Sequence, residues 1–566
     1  MAHEHHEHEH EHGLKRQLTL IAITAVLLAV AVVIEKTGSL STWQLLLVYL
    51  VPYLLIGHDT LKEAVEGIAH GEAFNEHFLM SVATIGALCI GFIPGAETQF
   101  PEAVFVMLFF QVGELFEGYA EGQSRKSIAH LMEIRPDVAR VEVSSSDTSE
   151  GREHLTGKQE MCHPEQVAVG QTIVILPGER VPLDGVVLDG TSTLDTAALT
   201  GESAPREVST GDDIISGCIN LTGTLRVRTT KSFGESTVSK IIHLVEDAGE
   251  HKSKSEAFIT RFARIYTPIV VFAAIAIAVI PIVMNHLGLL PPSFGGIGEG
   301  LYRALMFLVV SCPCALVISV PLTFFGGIGG ASRRGILIKG ANYMDVLAKV
   351  KTIVFDKTGT LTHGEVLRQD DGTFSRVVVN DRVKEDSAEA IARLKTLGVE
   401  RMVMLSGDRE EVVDRVAREI GIDEYHAALL PTDKVALFER IKAQDANAIT
   451  AFVGDGINDA PVLARADVGI AMGGLGSDAA IEAADVVLMD DQPSKVALAI
   501  SIARLTQAIA RQNVWFAIGI KVAVLLLAGF GLATMWMAVF ADVGVTVLAV
   551  LNAMRALHVG KGVSLS

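Results

Sequence analysis

Two kinds of apolar pattern alternate along this 566-residue chain. The first is the long uncharged run: residues 18–34, 43–57, 78–95, 103–113, 265–285, 301–330, 513–532 and 535–551. A helix needs roughly 20 apolar residues to cross a bilayer, so these runs predict eight spans. The second pattern is short and strand-like. It recurs at 138–143, 166–176, 181–188 and 224–229, and predicts a small β-rich domain between the fourth and fifth spans. Between 350 and 490, apolar strands alternate with amphipathic helices, the pattern of a doubly wound α/β domain.

Charge placement orients this plan. Lys15 and Arg16 precede the first run, and Arg333, Arg334 and Lys339 follow the sixth. The stretch between the fifth and sixth runs has neither Lys nor Arg. Arginine and lysine mark the inner side, and Arg555 and Lys561 after the last run agree. Both termini and the soluble domains are therefore expected in the cytosol, at an inner (plasma) membrane. The segment after the second run, 63–71, is amphipathic, with Gly67 and Gly71 placed to bend it.

Composition sharpens the class. Hydrophobic residues make up 49% and charged residues 20% of the chain, with mean hydropathy +0.39, which suits membrane spans carrying charged soluble domains. The net charge of −19 excludes nucleic acid as a partner, leaving membrane lipid and metal ions, and the chain is expected to be a monomer. Cys89, Cys162, Cys218, Cys312 and Cys314 form no disulfide framework, and no cleavable leader pattern stands at the N-terminus. Residues 1–12, MAHEHHEHEHEH, read as a metal-collecting tail. The expected divisions are a tail (1–13), spans one to four (14–118), the β-rich domain (119–256), spans five and six (257–332), the α/β domain (333–500), and spans seven and eight with a C-terminal tail (501–566).

The sixth span contains Ser311-Cys312-Pro313-Cys314. Pro313 removes a helix hydrogen bond and kinks the helix. Two thiols beside that break make a soft donor pair. Asp542 in the eighth span and Lys521 in the seventh are costly in lipid unless they pair or line a path. A carboxylate with two thiolates suits Zn²⁺, whereas Cu(I) favours softer sets. Lys521 is placed to act as a counter-ion that pairs with Asp542 once metal has left. Glu114, at the end of the fourth run, is a further functional candidate.

The strand 352–355 leads into Asp356-Lys357-Thr358-Gly359-Thr360-Leu361-Thr362. At such a strand end Asp356 is exposed to ligands, and a carboxylate can take a phosphoryl group. This run resembles the phosphorylation signature of P-type ATPases. With it, the stretch Thr200-Gly201-Glu202 resembles their actuator domain, and the resemblance assigns Glu202 to positioning the hydrolytic water. Ser406-Gly407-Asp408, Lys434 and Gly454-Asp455-Gly456-Ile457-Asn458-Asp459 complete the likeness to a haloacid-dehalogenase-type core. That resemblance implies Mg²⁺ held by Asp356, Asp455 and the Thr358 carbonyl with Asp459 in support, and phosphoryl oxygens held by Ser406 and Lys434. The ion-site residues resemble those of the zinc, cadmium and lead exporters among heavy-metal P-type ATPases. The implied activity is export of Zn²⁺, Cd²⁺ or Pb²⁺ from the cytosol, driven by ATP through an aspartyl-phosphate, with Glu114 helping release the ion outward.

One departure stands out. Only 51 residues separate Asp356 from Asp408, where the family places a nucleotide-binding domain with a His-Pro dipeptide and a Gly-rich loop. A full domain does not fit, and the site is expected to be closed by a short linker near 364–380. The phosphorylation site could still accept a small donor, while ATP loses its adenine and ribose contacts. Three other readings follow: an ATP-uncoupled metal-binding or passive-flux membrane protein, a small-molecule phosphatase, and, at the level of the metal, a Cu(I) pump. A phosphatase has no use for Cys312, Cys314 and Asp542 in the membrane.

Overall fold

A computed structural model describes residues 2–38, 40–70, 76–94, 96–132, 136, 138–143, 158–196, 205–240, 254–287, 297–311, 314–366, 379–445, 447–454, 459–473, 482–529, 532 and 534–558. The chain divides into two units, one of residues 1–124, 255–323 and 508–555, the other of the remainder.

The first unit is helical. Six helices among the described residues are long and apolar enough to cross a membrane: Arg16–Thr37, Thr42–Ala69, Tyr266–His286, Ile297–Ser332, Ser494–Ala528 and Met535–Leu557. Six of the eight expected spans thus stand by length and composition among the described residues. The third run forms a shorter apolar helix, His77–Ile90. The fourth lies in the helix Phe100–Met132, which carries Glu102 in its first turn and Glu114 and Glu117 near its middle, and continues into a charged segment. The helix Thr42–Ala69 includes Gly67, so the chain stays helical past the expected bend; Gly71 lies outside the described residues.

Lipid-facing and core-facing positions separate cleanly here. Tyr49, Phe100, Val104, Met107, Leu305, Val309 and Ala538 are buried in one cluster, whereas Trp43, Leu47, Phe272 and Trp515 are exposed. Exposed apolar residues on this scale need lipid around them.

The second unit contains two kinds of sheet. In the β-rich part, six strands run in the order Lys158–Cys162, Ala139–Val143, Thr172–Ile175, Leu225–Thr229, Gly185–Asp189, Asp213–Ile214, beside a three-stranded sheet. Asp184 is a buried hub: it accepts from the Ser216 amide at 2.8 Å, the Ser216 hydroxyl at 2.7 Å and the Thr237 hydroxyl at 2.7 Å. These bonds satisfy a carboxylate that would otherwise be costly to bury.

The α/β part is a seven-stranded sheet ordered Ile336–Ile338, Val486–Leu488, Val468–Ala471, Ile449–Gly454, Val350–Asp356, Arg401–Leu405, Glu424–His426. All neighbours are parallel except the first pair. Val354, Phe355, Val403, Leu405, Phe452 and Val453 are fully buried, as parallel strands covered on both faces require. The Asp356 strand is central, paired on one side with Ile449–Gly454 and on the other with Arg401–Leu405.

After the loop that follows Asp356, the chain makes a two-stranded antiparallel ladder. Thr362–Val366 pairs with Val379–Val383, in register from Thr362↔Val383 to Val366↔Val379. Lys384 then turns back onto the loop after Asp356: its amide donates to the Leu361 carbonyl, and its Nζ to the Gly359 carbonyl at 2.5 Å and to Asp491 at 2.5 Å.

Candidate functional site

The sheet brings three strand ends together. Asp356 ends the central strand opposite Leu405, so Ser406-Gly407-Asp408 begins beside it. Gly359 adopts φ +74°, a left-handed conformation that favours glycine, and turns the loop after Asp356. On the other flank, a side chain at Gly454 would approach Asp459 Oδ2 to 2.7 Å, so glycine there admits the Asp459 carboxylate.

Lys434, from the helix Pro431–Gln444, donates to Asp356 Oδ1 at 2.5 Å and to Asp459 Oδ1 at 3.3 Å. It neutralises two carboxylates at once, and those carboxylates hold its ammonium above the ordinary lysine range in spite of burial. Burial, with the neighbouring Asp459, pushes Asp356 up to about 6 against the pull of Lys434.

Lys357 is fully buried and pairs with Asp408 at 2.5 Å. Ser406 Oγ donates to Asp408 at 3.0 Å and accepts from its amide at 3.1 Å. Burial pushes Asp408 up, but Lys357 outweighs it and the carboxyl sits below its usual range. The pairing of Lys357 with Asp408 fixes the loops around Asp356 and was not visible in the sequence. Thr358 is exposed and Thr360 buried.

The donor set can be tested against Mg²⁺. Asp356 and Asp459 offer hard carboxylate oxygens on either side of one ammonium, which suits a small cation that keeps several waters. Asp455, Gly456 and Asn458 lie outside the described residues, as do Thr200, Gly201 and Glu202.

The helical unit holds a second site. The helix Ile297–Val310 stops before Ser311, and the next helix begins at Cys314. Cys312 and Pro313 lie outside the described residues, and of Cys314 only the helix start is described. Val310 is the last residue of the first of these helices. Lys521 Nζ donates to the Val310 carbonyl at 3.1 Å and also pairs with Asp542. All these groups are buried. Thr546, one turn beyond Asp542, donates to the Asp542 carbonyl at 2.9 Å.

A cavity of about 40 Å³ opens beside this pair, lined among others by Met80, Phe110, Glu114, Asp542 and Thr546. Glu114 and Asp542 therefore share one cavity. Further along the same two helices, Asn513 donates to the Ala549 carbonyl at 3.0 Å and accepts from Asn552 at 2.8 Å. The expectation that Lys521 pairs with Asp542 matches this geometry. The Val310 carbonyl, Thr546 and Asn513 are additions.

Comparisons with known proteins bear on the family of the chain. A family model described as the P-type ATPase actuator domain matches residues 146–246, and one described as haloacid dehalogenase-like hydrolase matches 373–467. The cadmium, zinc and cobalt-transporting ATPase of Bacillus subtilis is 43% identical over 629 aligned positions, covering 94% of this chain and 85% of that protein. The chain belongs to the metal-transporting P-type ATPases. A zinc-transporting ATPase of Synechocystis is likewise 43% identical, covering 96% of this P-type ATPase and 85% of its own length. The crystal structure of a zinc-transporting PIB-type ATPase in an E2.Pi state is 29% identical, with TM-score 0.51, covering 96% of this chain and 100% of that one. The 629 positions aligned with the Bacillus protein exceed the 566 residues of this P-type ATPase by 63, so at least that many of the relative's residues have no counterpart here.

Proposed function

We propose that this protein exports Zn²⁺, and with it Cd²⁺ and Pb²⁺, from the cytosol across the plasma membrane, driven by phosphorylation of Asp356. The observation that carries the reading is the Lys521–Asp542 pair beside the broken Ile297–Ser332 segment. A buried carboxylate with its own ammonium is a cation site held shut by a built-in cation. Zn²⁺ takes Asp542 with the thiolates of Cys312 and Cys314, a set that suits it, and displaces Lys521 onto the Val310 carbonyl. On release, Lys521 returns to Asp542 and opposes rebinding. Glu114, on the same cavity, receives the ion on its way out.

In this reading Glu76–Ile90 and the first half of Phe100–Met132 join the six long helices to give eight spans, with both termini cytosolic and the protein a monomer. At the other site, Asp356 attacks the phosphoryl group in line, with Lys434 and Ser406 on its equatorial oxygens. Such positioned charge is what this reaction needs. Mg²⁺ on Asp356, Asp455 and the Thr358 carbonyl, supported by Asp459, would offset phosphate charge. Glu202 positions the water that ends the cycle.

The test is ⁶⁵Zn²⁺ uptake into inside-out vesicles. Uptake that requires Asp356 and Asp542 supports the reading. Uptake that persists in Asp356→Asn makes the protein a passive metal conductor instead.

A further inference from the structure

Resting on the aspartyl-phosphate reading, we propose that the phosphoryl donor of this chain is a small acyl phosphate rather than a nucleotide. The first argument is space. The ladder from Thr362 to Val383 occupies the place of the insertion, and only the 12 residues 367–378 connect its last rung, Val366↔Val379. Chains below about 40 residues seldom build a core of their own, so this connection cannot fold a nucleoside-binding domain. The ladder is also stitched shut. Lys384 is 3% exposed and ties Gly359, in the phosphorylation loop, to Asp491, and Ser387 Oγ donates to the Leu361 carbonyl at 2.9 Å.

The second argument is that the described groups around Asp356 suit a phosphoryl group. Lys434, Ser406 and the Lys357–Asp408 pair surround Asp356, and every one of them comes from the α/β domain itself. None depends on a nucleoside being held elsewhere. ATP would bring the same terminal phosphate but lose the remote contacts that pay for its positioning. An acyl phosphate needs none.

The third argument is the balance of the reaction. The Asp356 carboxylate attacks phosphorus, the P–O bond to the acyl oxygen breaks, and the carboxylate of the donor leaves with the electron pair. One mixed anhydride of a carboxylic and a phosphoric acid is exchanged for another, so the step is close to thermoneutral and needs no further reactant. Water then cleaves the aspartyl-phosphate, returning Asp356 and inorganic phosphate.

The experiment is acid-stable labelling of the full-length protein in detergent, with Mg²⁺ and Zn²⁺ present, using acetyl [³²P]phosphate in one arm and [γ-³²P]ATP in the other. Asp356→Asn is the blank in both. The expected result is labelling from acetyl phosphate, half-maximal at a concentration at least about tenfold below that needed with ATP, and unprotected by equimolar unlabelled ATP. Labelling from ATP at equal or lower concentration overturns the proposal and leaves the aspartyl-phosphate reading standing. No labelling from either donor overturns the aspartyl-phosphate reading, and this proposal with it.

Discussion

The two units each bury a lysine against an aspartate, and the pairs differ in what surrounds them. Lys434 is shared by Asp356 and Asp459 at the end of a parallel sheet, beside loops that reach water. Among the described residues, Lys521 meets the Asp542 carboxylate and the Val310 carbonyl, and Asp542 lines a largely apolar cavity. At the first site, two negative charges outnumber one positive, and the surplus calls for a further cation. At the second, one lysine is matched to one aspartate, so a cation arriving at Asp542 must displace the lysine. The same chemistry thus recruits a cation in one place and resists it in the other.

Four measurements would break or sharpen this contrast. The largest effect is expected from Asp542→Ala, which should abolish Zn²⁺-stimulated labelling of Asp356 altogether. Labelling that still responds to Zn²⁺ would remove Asp542 from the ion site. Next is Lys521→Met, which leaves Asp542 buried without its partner and should destabilise the protein in metal-free detergent by about 3–5 kcal/mol. Added Zn²⁺ should restore part of that loss, read as the midpoint of thermal unfolding. An unchanged midpoint would mean that the pair carries no weight.

Lys434→Ala should slow labelling from acetyl phosphate by about 10²–10³-fold, the cost of losing one charge-stabilising donor. A change below about fivefold would pass its role to another cation. The smallest effect concerns Asp356. A carboxyl raised on folding, here to about 6, binds more protons folded than unfolded between its unfolded and folded values. Its contribution therefore turns unfavourable as pH rises through that window. Asp356→Asn should raise Tm relative to the parent by about 2–4 °C more at pH 8 than at pH 5. An equal difference at both values would refute the raised carboxyl.

What the sequence made legible follows from which physical signals are local. The parallel strands were read directly, because burial on both faces forces continuous apolar runs such as 352–355. Asp542, Lys521 and Glu114 were found because ionisable groups inside apolar helices have few explanations. The Val310 carbonyl was not, since a backbone acceptor is no residue type. The Lys357–Asp408 pair escaped for another reason: its members are brought together only by the Asp356↔Leu405 register. The fourth span is the one that pattern alone places least sharply. Its apolar run is real, but Glu102 and Glu114 bracket it in a helix that runs on to Met132.

The Val366↔Val379 rung has a consequence for how such proteins change over time. Paired residues on antiparallel strands sit about 5 Å apart, so a module whose own ends are that close can be spliced in or cut out while both strands keep their register. The rung works as a socket. The fuel of the machine is then set by a detachable part, and its cargo by residues in another unit, so either can be exchanged while the other is kept.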